Sequence, residues 1–283
     1  MNEHQRLICP ICKKRGSETA LYKDGPAYRC AEGHSFDIAK KGYVNLLLSQ
    51  QSSKKRHGDD KRMVTARRDF LDRDFYASLA DAVVDAAKAY VTGGVIVDAG
   101  CGEGYYTARL HEAISGADIY GIDISKDALA YAAKRDRSLT LAAASAADIP
   151  VMSGCADAVV SIFAPVFPKE FSRLLKPGGV LVRAVPLEDH LFGLKRAIYK
   201  NAYKNPFDSG ELDGFELVDI KHIRYDITLE CREDIEALFM MTPYYYKTSR
   251  ADQERLLSRS SLTTELDFGV IVSKKGCRNE QDI

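Results

Sequence analysis

Apolar positions change their period several times along the chain, and from residue 79 onward the changes read as helices and strands in alternation. Leu79, Val83, Val84, Ala87 and Tyr90 recur at helical spacing, and Gly93-Gly94 stops that helix ahead of a β-branched run. The run, Gly94-Val-Ile-Val-Asp98, reads as a buried strand; a glycine-rich loop follows, after which Ala108, Leu110 and Ile114 resume helical spacing. A second strand covers Asp118 to Asp123, a third precedes Ser145-Ala-Ala-Asp148, a fourth covers Ala156 to Phe163, and Lys176-Pro-Gly-Gly179 turns into a fifth, Val180 to Val185. Beyond residue 190 the pattern predicts a helix from Phe192 to Tyr203, a strand from Phe215 to Tyr225, a helix from Glu233 to Met241 and a strand from Leu266 to Val272. Strands alternating with helices in this way predict an α/β domain on one seven-stranded sheet, spanning residues 76–283.

The residues before 76 lack this rhythm, and their informative positions are polar. Cys9, Cys12, Cys30 and His34 stand as C-x2-C-x17-C-x3-H. Zinc takes four thiolate or imidazole ligands, so each close pair would clip a tight turn and the 17-residue insert would form a hairpin. Pro10 and Gly33 suit those two turns. A segment of about 40 residues buries too little apolar surface to fold unaided, so zinc binding would also be folding free energy, and chelation is expected to unfold the segment locally. Residues 1–48 thus read as a zinc module, and residues 49–75 as a basic arm leading to the sheet domain.

At 283 residues, 46% hydrophobic and 28% charged, the chain has an ordinary globular composition with no disorder signature. No apolar stretch approaches the roughly 18 residues that span a bilayer, and Met1-Asn-Glu-His-Gln-Arg6 precedes no export-type apolar segment. Seven cysteines, an odd number, point to a reducing cytoplasm rather than a disulfide framework, with Cys101, Cys155, Cys231 and Cys277 read as structural. The zero net charge is unevenly placed: residues 1–73 hold 16 Lys and Arg against 9 Asp and Glu, and the remainder 24 against 31. The basic excess falls at Lys13-Lys-Arg15, Lys40-Lys41, Lys54-Lys-Arg56, Lys61-Arg62 and Arg67-Arg68, with Tyr28, Phe36 and Tyr43 interleaved. Positive charge with stacking rings is the pattern of a nucleic-acid surface, a solvated face being the simpler alternative. Lys54, Lys55, Arg56, Arg67 and Arg68 are the candidate phosphate contacts.

The loop after the first strand reads Asp98-Ala-Gly100-Cys-Gly102-Glu-Gly104-Tyr-Tyr-Thr107. Glycines there allow a tight turn and let a ligand approach the backbone at a helix start. The spacing is G-x-G-x-G with an acid two residues ahead, so Asp98 would repel a pyrophosphate and tolerate a sulfonium cofactor with an amino-acid tail. Asp123, about 20 residues on at the end of the second strand, is placed to accept ribose hydroxyls.

This order of elements resembles the class I S-adenosylmethionine-dependent methyltransferases, whose sheet is Rossmann-like. The resemblance implies that Asp98 faces the methionine end, Gly100, Gly102 and Gly104 the backbone crevice, Asp123 the ribose and Asp148 the adenine, with Tyr105, Tyr106 and Thr107 beside them. Over nearly the whole chain, the Cys-Pro-x-Cys opening, Cys30-Ala-Glu-Gly-His-Ser-Phe-Asp37, Ala39-Lys-Lys-Gly-Tyr-Val-Asn-Leu-Leu47, Gly58-Asp59, Ala66-Arg-Arg68 and Cys101-Gly-Glu-Gly-Tyr-Tyr-Thr107 resemble the bacterial 23S rRNA (guanine-N1)-methyltransferases of the RlmA family. That resemblance implies methylation of guanine N1 in a hairpin loop of 23S rRNA, with S-adenosylmethionine and Zn2+ as cofactors, and adds Tyr76 and His190 as cofactor contacts. The segments Asp72-Arg-Asp-Phe75 and Pro186-Leu-Glu-Asp-His190 depart from the family pattern. Ile162-Phe-Ala-Pro165 holds no Asn or Asp amide clamp, which suits a ring nitrogen that must lose a proton before it attacks. No general base is identified; Asp37, Asp59 and Glu188 are merely carboxylates near the motifs. Met240-Met-Thr-Pro-Tyr-Tyr-Tyr246 reads as core, as a lid, or as a stacking surface for a flipped base, and Lys195, Arg196, Lys200 and Lys204 as a basic helix face. A small-molecule methyltransferase and a non-catalytic zinc-containing RNA-binding protein remain as alternatives, and a homodimer is left open.

Overall fold

The computed structural model describes residues 5–48 and 60–276. Its N-terminal part holds a short helix, Pro10–Lys14 (α1), a three-stranded antiparallel sheet of Leu21–Asp24 (β1), Ala27–Cys30 (β2) and Ser35–Asp37 (β3), and a two-residue strand, Val44–Asn45 (β4). The expected hairpin is β1 and β2, with Leu21 opposite Cys30. Lys61–Leu71 (α2) starts at Asp60, whose carboxylate accepts from the backbone N–H groups of Arg62 and Met63 and so caps the helix. Ala77–Lys88 (α3) completes the approach to the large sheet.

Gly94–Ala99 (β5), Tyr105–Ala113 (α4), Ala117–Asp123 (β6), Lys126–Arg135 (α5) and Thr140–Ala143 (β7) follow, then Ala156–Ile162 (β8), Pro168–Leu174 (α6) and Leu175–Pro186 (β9). The remainder is Phe192–Ile198 (α7), Phe215–Leu229 (β10), Arg232–Met240 (α8), Arg250–Leu257 (α9) and Leu262–Lys275 (β11). The sheet order is β10-β11-β9-β8-β5-β6-β7-β4, with β11 antiparallel to both β9 and β10 and the other neighbours parallel. Seven of these strands are those expected from residue 76 onward. The eighth, β4, comes from the N-terminal segment, Val44 pairing with Ala142 and Asn45 with Ala143.

Strand order runs outward from β5 to β6 and β7 on one side and from β8 to β9 on the other, so the order of strand addition reverses between the parallel neighbours β5 and β8. In open α/β sheets such a reversal leaves a crevice beyond the carboxyl ends of the strands, because the connecting helices depart to opposite faces. One face buries Ile96, Val160, Val182, Phe268 and Val270 with Leu79 and Val83 of α3 and Leu194 of α7. The opposite face buries Val95, Val97, Val159 and Leu181 with Phe171 of α6, and its core continues into Leu7, Cys9, Leu21 and Cys30. The zinc segment therefore shares a hydrophobic core with the sheet.

Polar contacts tighten that junction. The Ile8 N–H donates to Pro150 O (2.9 Å) and the Met152 N–H to Arg6 O (3.0 Å). Lys13 Nζ donates to Asp148 Oδ1 (2.5 Å), Ile149 O (3.0 Å) and Glu170 Oε1 (3.2 Å), which corrects its assignment to a phosphate-binding surface. A second correction concerns the helix expected from Phe192 to Tyr203: it ends at Ile198, and the chain then folds back, so Lys195 is buried rather than on a solvated face. Strands β10 and β11 run longer than expected, to Leu229 and from Leu262.

Candidate functional site

Two constellations are assembled by this fold. In the first, α1 carries Cys12, the residue before it is Cys9, and Cys30 and His34 flank the turn between β2 and β3. Their ligand atoms all lie within 4.8 Å of one another. His34 Nδ1 is 3.4 Å from Cys9 Sγ, 3.4 Å from Cys12 Sγ and 3.3 Å from Cys30 Sγ, and the Cys12 and Cys30 sulfurs are 3.9 Å apart. A tetrahedral zinc with its usual bond lengths needs S···S edges of about 3.8 Å and S···N edges of about 3.5 Å. The four residues fit the ion. Burial pushes the Cys9 thiol up to about 11, so a zinc ion binding among the four ligands must displace its proton.

The second constellation is a cavity of about 1060 Å³ at the carboxyl ends of β5, β6, β8 and β9. Gly100 and Gly102, Asp98, Asp123, Ser145 and Ala146 wall one half of it. Gly102 has φ 55, and a Cβ there would project into open space, so a side chain would be both strained and planted where a ligand approaches the backbone. Gly104, which caps α4 at φ 84, is closed for a different reason: a Cβ would meet the Ala132 Cβ at 2.8 Å.

The carboxylates of this half are held by the fold. Asp123 Oδ2 accepts from the Gly102 N–H (2.9 Å) and Oδ1 from the Ser125 N–H (2.7 Å), which fixes the loop against the end of β6. Asp98 is buried, and Thr107 Oγ1 donates to its Oδ2 (2.7 Å). Burial pushes the Asp98 carboxyl up to about 7, aided by the charge of Asp123 and opposed by the Thr107 bond. Glu103 is also buried and accepts from Arg135 Nε (2.5 Å).

Aromatic and basic groups wall the other half. Tyr76, Phe163 and His190 converge there around Phe268, with the His190 and Phe268 ring centroids 4.6 Å apart and those of Tyr76 and Phe163 6.2 Å apart. Phe163 takes a left-handed backbone conformation (φ 52) directly after β8, unusual for a bulky residue, and is 43% exposed. The Asp267 N–H donates to His190 Nδ1 (3.4 Å), and burial pushes the imidazole down to about 3, so it is neutral. Met241, Thr242, Pro243 and Tyr244 of the aromatic segment border this side. Lys195, Tyr203 and Asn205 complete the wall.

Of the residues singled out in the sequence, Tyr76, Asp98, Gly100, Gly102, Tyr106, Asp123, His190 and Arg67 line the cavity. Gly104, Tyr105, Thr107, Asp148 and Arg68 do not. Tyr105 instead donates to Asp74 Oδ1 (3.1 Å), Asp148 holds Lys13, and Arg68 pairs with Asp69 and lies 4.7 Å over the Tyr131 ring. Lys54, Lys55, Arg56 and Asp59 lie outside the described residues. Asp37 on β3 and Glu188 also stand apart from the cavity wall. Phe163, Lys195 and Asn205 were not legible as site residues. A short apolar strand end and a basic helix carry no such mark; only the folding back of 199–205 brings the last two inward.

Residues 7–55 match the family described as RlmA, N-terminal, a zinc ribbon, and residues 96–179 match the methyltransferase domain family. Over 198 residues the chain is 36% identical to the 23S rRNA (guanine(748)-N(1))-methyltransferase of Streptomyces fradiae, covering 68% of this chain and 67% of that one. The chain belongs to the 23S rRNA (guanine-N1)-methyltransferase family. Two provisionally named members are similar as well: one from Micromonospora griseorubida at 35% over 209 residues (66% and 68% covered), and one from Bacillus subtilis at 29% over 280 residues (94% and 96%). Among solved structures, a provisionally described methyltransferase of Bacillus halodurans shares the fold at 14% identity and TM-score 0.50, covering 71% of this chain and all of that one. Family and fold together make S-adenosylmethionine and Zn2+ the cofactors of this enzyme.

Proposed function

We propose that this chain transfers the methyl group of S-adenosylmethionine to N1 of a guanine in a hairpin loop of 23S rRNA. The observation that carries the proposal is the cavity where the strand order reverses, glycine-walled and acidic on one side, aromatic and basic on the other. When bound, the cofactor supplies an electrophilic methyl group on a sulfonium. Gly102 offers it open backbone with Gly100 beside it on the wall, Asp123 accepts from the ribose, and Asp98 lies toward its cationic end, while Ser145 and Ala146 border the adenine side. The aromatic half admits an unstacked base, and the exposed Phe163 presents a ring for it. Arg67 on the rim and Lys54, Lys55 and Arg56 in the preceding segment supply phosphate contacts. A small-molecule methyltransferase would leave the zinc ribbon without a task, and a non-catalytic binder would not need a glycine-walled cavity.

The test is methylation of 23S rRNA by purified protein with isotopically labelled S-adenosylmethionine, followed by reverse-transcriptase mapping. N1 methylation blocks Watson–Crick pairing, so a new stop beside one loop guanine is expected, and it should be absent from rRNA of a strain lacking the gene. Label incorporation at an exocyclic amine or ribose, or none into rRNA, would overturn the proposal.

A further inference from the structure

The carboxylates lining the cavity among the described residues are Asp98, Glu103 and Asp123. Each belongs to the cofactor half and has a partner there: Thr107, Arg135, and the Gly102 and Ser125 N–H groups. His190, on the other half, has its Nδ1 facing a backbone N–H. A guanine N1 in that half therefore meets no carboxylate able to take its proton. It does meet a buried ammonium.

Lys195 is 1% exposed and bonds to no carboxylate among the described residues. Its Nζ donates to Tyr203 O (3.0 Å) and to Asn205 Oδ1 (2.6 Å). The amide of Asn205 is fixed in turn, because its Nδ2 donates to Leu187 O (2.7 Å) and His190 O (3.3 Å) and leaves Oδ1 for the lysine. Nζ also lies 5.0 Å from the Tyr203 ring centroid and 5.5 Å from that of Tyr244. Two of the three ammonium hydrogens thus have protein acceptors, and the third has none among the described residues. The other titratable groups around α7 are engaged elsewhere. Glu265 bonds to the Gly193 N–H and Arg196, Asp267 to His222, Asp189 to Lys204 and Arg224, and Arg255 of α9 to Ile198 O. A buried cation without a counter-ion is costly, and a fold keeps one where a negative charge will develop.

We propose that Lys195 is a catalytic residue of the methyl transfer: its free N–H meets O6 of the target guanine and stabilises the anion formed when N1 is deprotonated. This rests on the guanine-N1 reading above. Neutral guanine has no lone pair available at N1. The N1 proton leaves to water and its charge spreads to O6, where Lys195 donates. The N1 pair then forms the bond to the methyl carbon as the carbon–sulfur bond breaks with its electrons going to sulfur. The balance is methylguanine, the neutral thioether and one proton. Burial holds the Lys195 ammonium below the usual lysine range, which sharpens its response to a nearby anion.

The experiment is a pH–rate profile of single-turnover methylation for wild type and Lys195→Met, on target RNA carrying either guanosine or the more N1-acidic 6-thioguanosine. Met fills a similar volume without charge, and cofactor titration reports whether the fold survives. At neutral pH, Lys195→Met is expected to lose about 10²–10³-fold in rate. The loss should shrink as pH rises, by up to about tenfold per unit while the unaided N1 deprotonates, and shrink also on 6-thioguanosine RNA. A loss uniform across pH and unrelieved by 6-thioguanosine, or no loss, overturns the proposal. The wild-type profile is an independent check: its break should fall at least about one pH unit below that of free guanosine, and a break at the free value overturns the proposal even if the variant does not fold. If wild type leaves 23S rRNA unmethylated, it is the guanine-N1 reading that fails instead.

Discussion

The two halves of the cavity are built on opposite plans. On the cofactor half, one loop and the adjoining strand ends do the work, and each carboxylate is held by a defined partner: Asp123 by the Gly102 and Ser125 N–H groups, Asp98 by Thr107 and Glu103 by Arg135. On the other half, side chains from α2, Tyr76 just before α3, the ends of β8 and β9, α7, the returning segment at 203–205 and the turn after α8 meet only in the folded chain. The first plan gives a rigid crevice with negative charge waiting for a cationic cofactor. The second gives an aromatic slot whose positive charge waits for an anion. Separating the charges across one cavity keeps the acids from neutralising Lys195 before a substrate arrives.

The sharpest break of the cofactor half is Gly102→Val, which forces a β-branched residue into φ 55 and fills the open space beside the backbone. Cofactor affinity by titration calorimetry is expected to fall about 10²-fold or more. Zinc loss comes next. Because Val44–Asn45 pairs with β7, which leads into the cavity-lining Ser145 and Ala146, a Cys9→Ser, Cys12→Ser double variant should lose its metal and lower the melting temperature of the whole chain by roughly 10 °C. Cofactor binding should weaken in step, which replaces the expectation of purely local unfolding. A double variant that melts like wild type would show the shared core to be unimportant. Asp123→Ala should cost about 1–3 kcal/mol of cofactor affinity through lost charge-assisted hydrogen bonds, with binding at wild-type strength placing the ribose elsewhere.

These differences track what was legible in the sequence. The glycine loop and Asp98 sit within one strand–loop–helix unit and Asp123 ends the very next strand, so local spacing reveals them, and the same holds for the two clipped turns of the zinc ligands. Lys195 was read as one of several surface cations, since nothing local announces that residues 199–205 fold back over it. Lys13 counts in the sequence toward a basic patch for the same reason, its partners Asp148 and Glu170 lying far along the chain. Strand β10 outran its predicted end at Tyr225 because the alternation of covered and exposed positions that begins at Ile223 continues through Ile227 to the buried Leu229. Periodicity reports burial, and a charged group buried for chemistry is where it misleads.

Asp98 allows a milder test of the charge separation by pH. Its folded-state carboxyl is raised to about 7, above the ordinary value near 4, so between those limits the native state holds the proton and the unfolded chain does not. The group's contribution to stability is thus present at low pH and is lost as pH rises through about 7. A cationic cofactor favours the ionised form, so binding should release a proton. Affinity should then rise by up to about tenfold per unit between pH 5 and 7 and level off above. Asp98→Asn should remove the slope, and a slope that persists would assign it to another group.

The smallest expected effect lies on the rim, where two neighbouring arginines that sequence treats alike are separated by structure. Arg67 lines the cavity, whereas Arg68 is held by Asp69 and the Tyr131 ring at the surface of α2. Truncating a phosphate-contacting residue removes about one counterion from the salt dependence of RNA binding, and truncating a solvated one removes none. Arg67→Ala should therefore lower the slope of log affinity against log salt by about one and weaken binding a few-fold at low salt, with cofactor affinity unchanged. Arg68→Ala should leave the slope within error, because its charge is already matched by Asp69 and exposed ion pairs contribute little. Equal slopes for the two variants would mean that the RNA does not reach the cavity mouth along α2, and the footprint would then lie with Lys54, Lys55 and Arg56, whose triple replacement by Ala should flatten the slope by up to roughly 2 to 3.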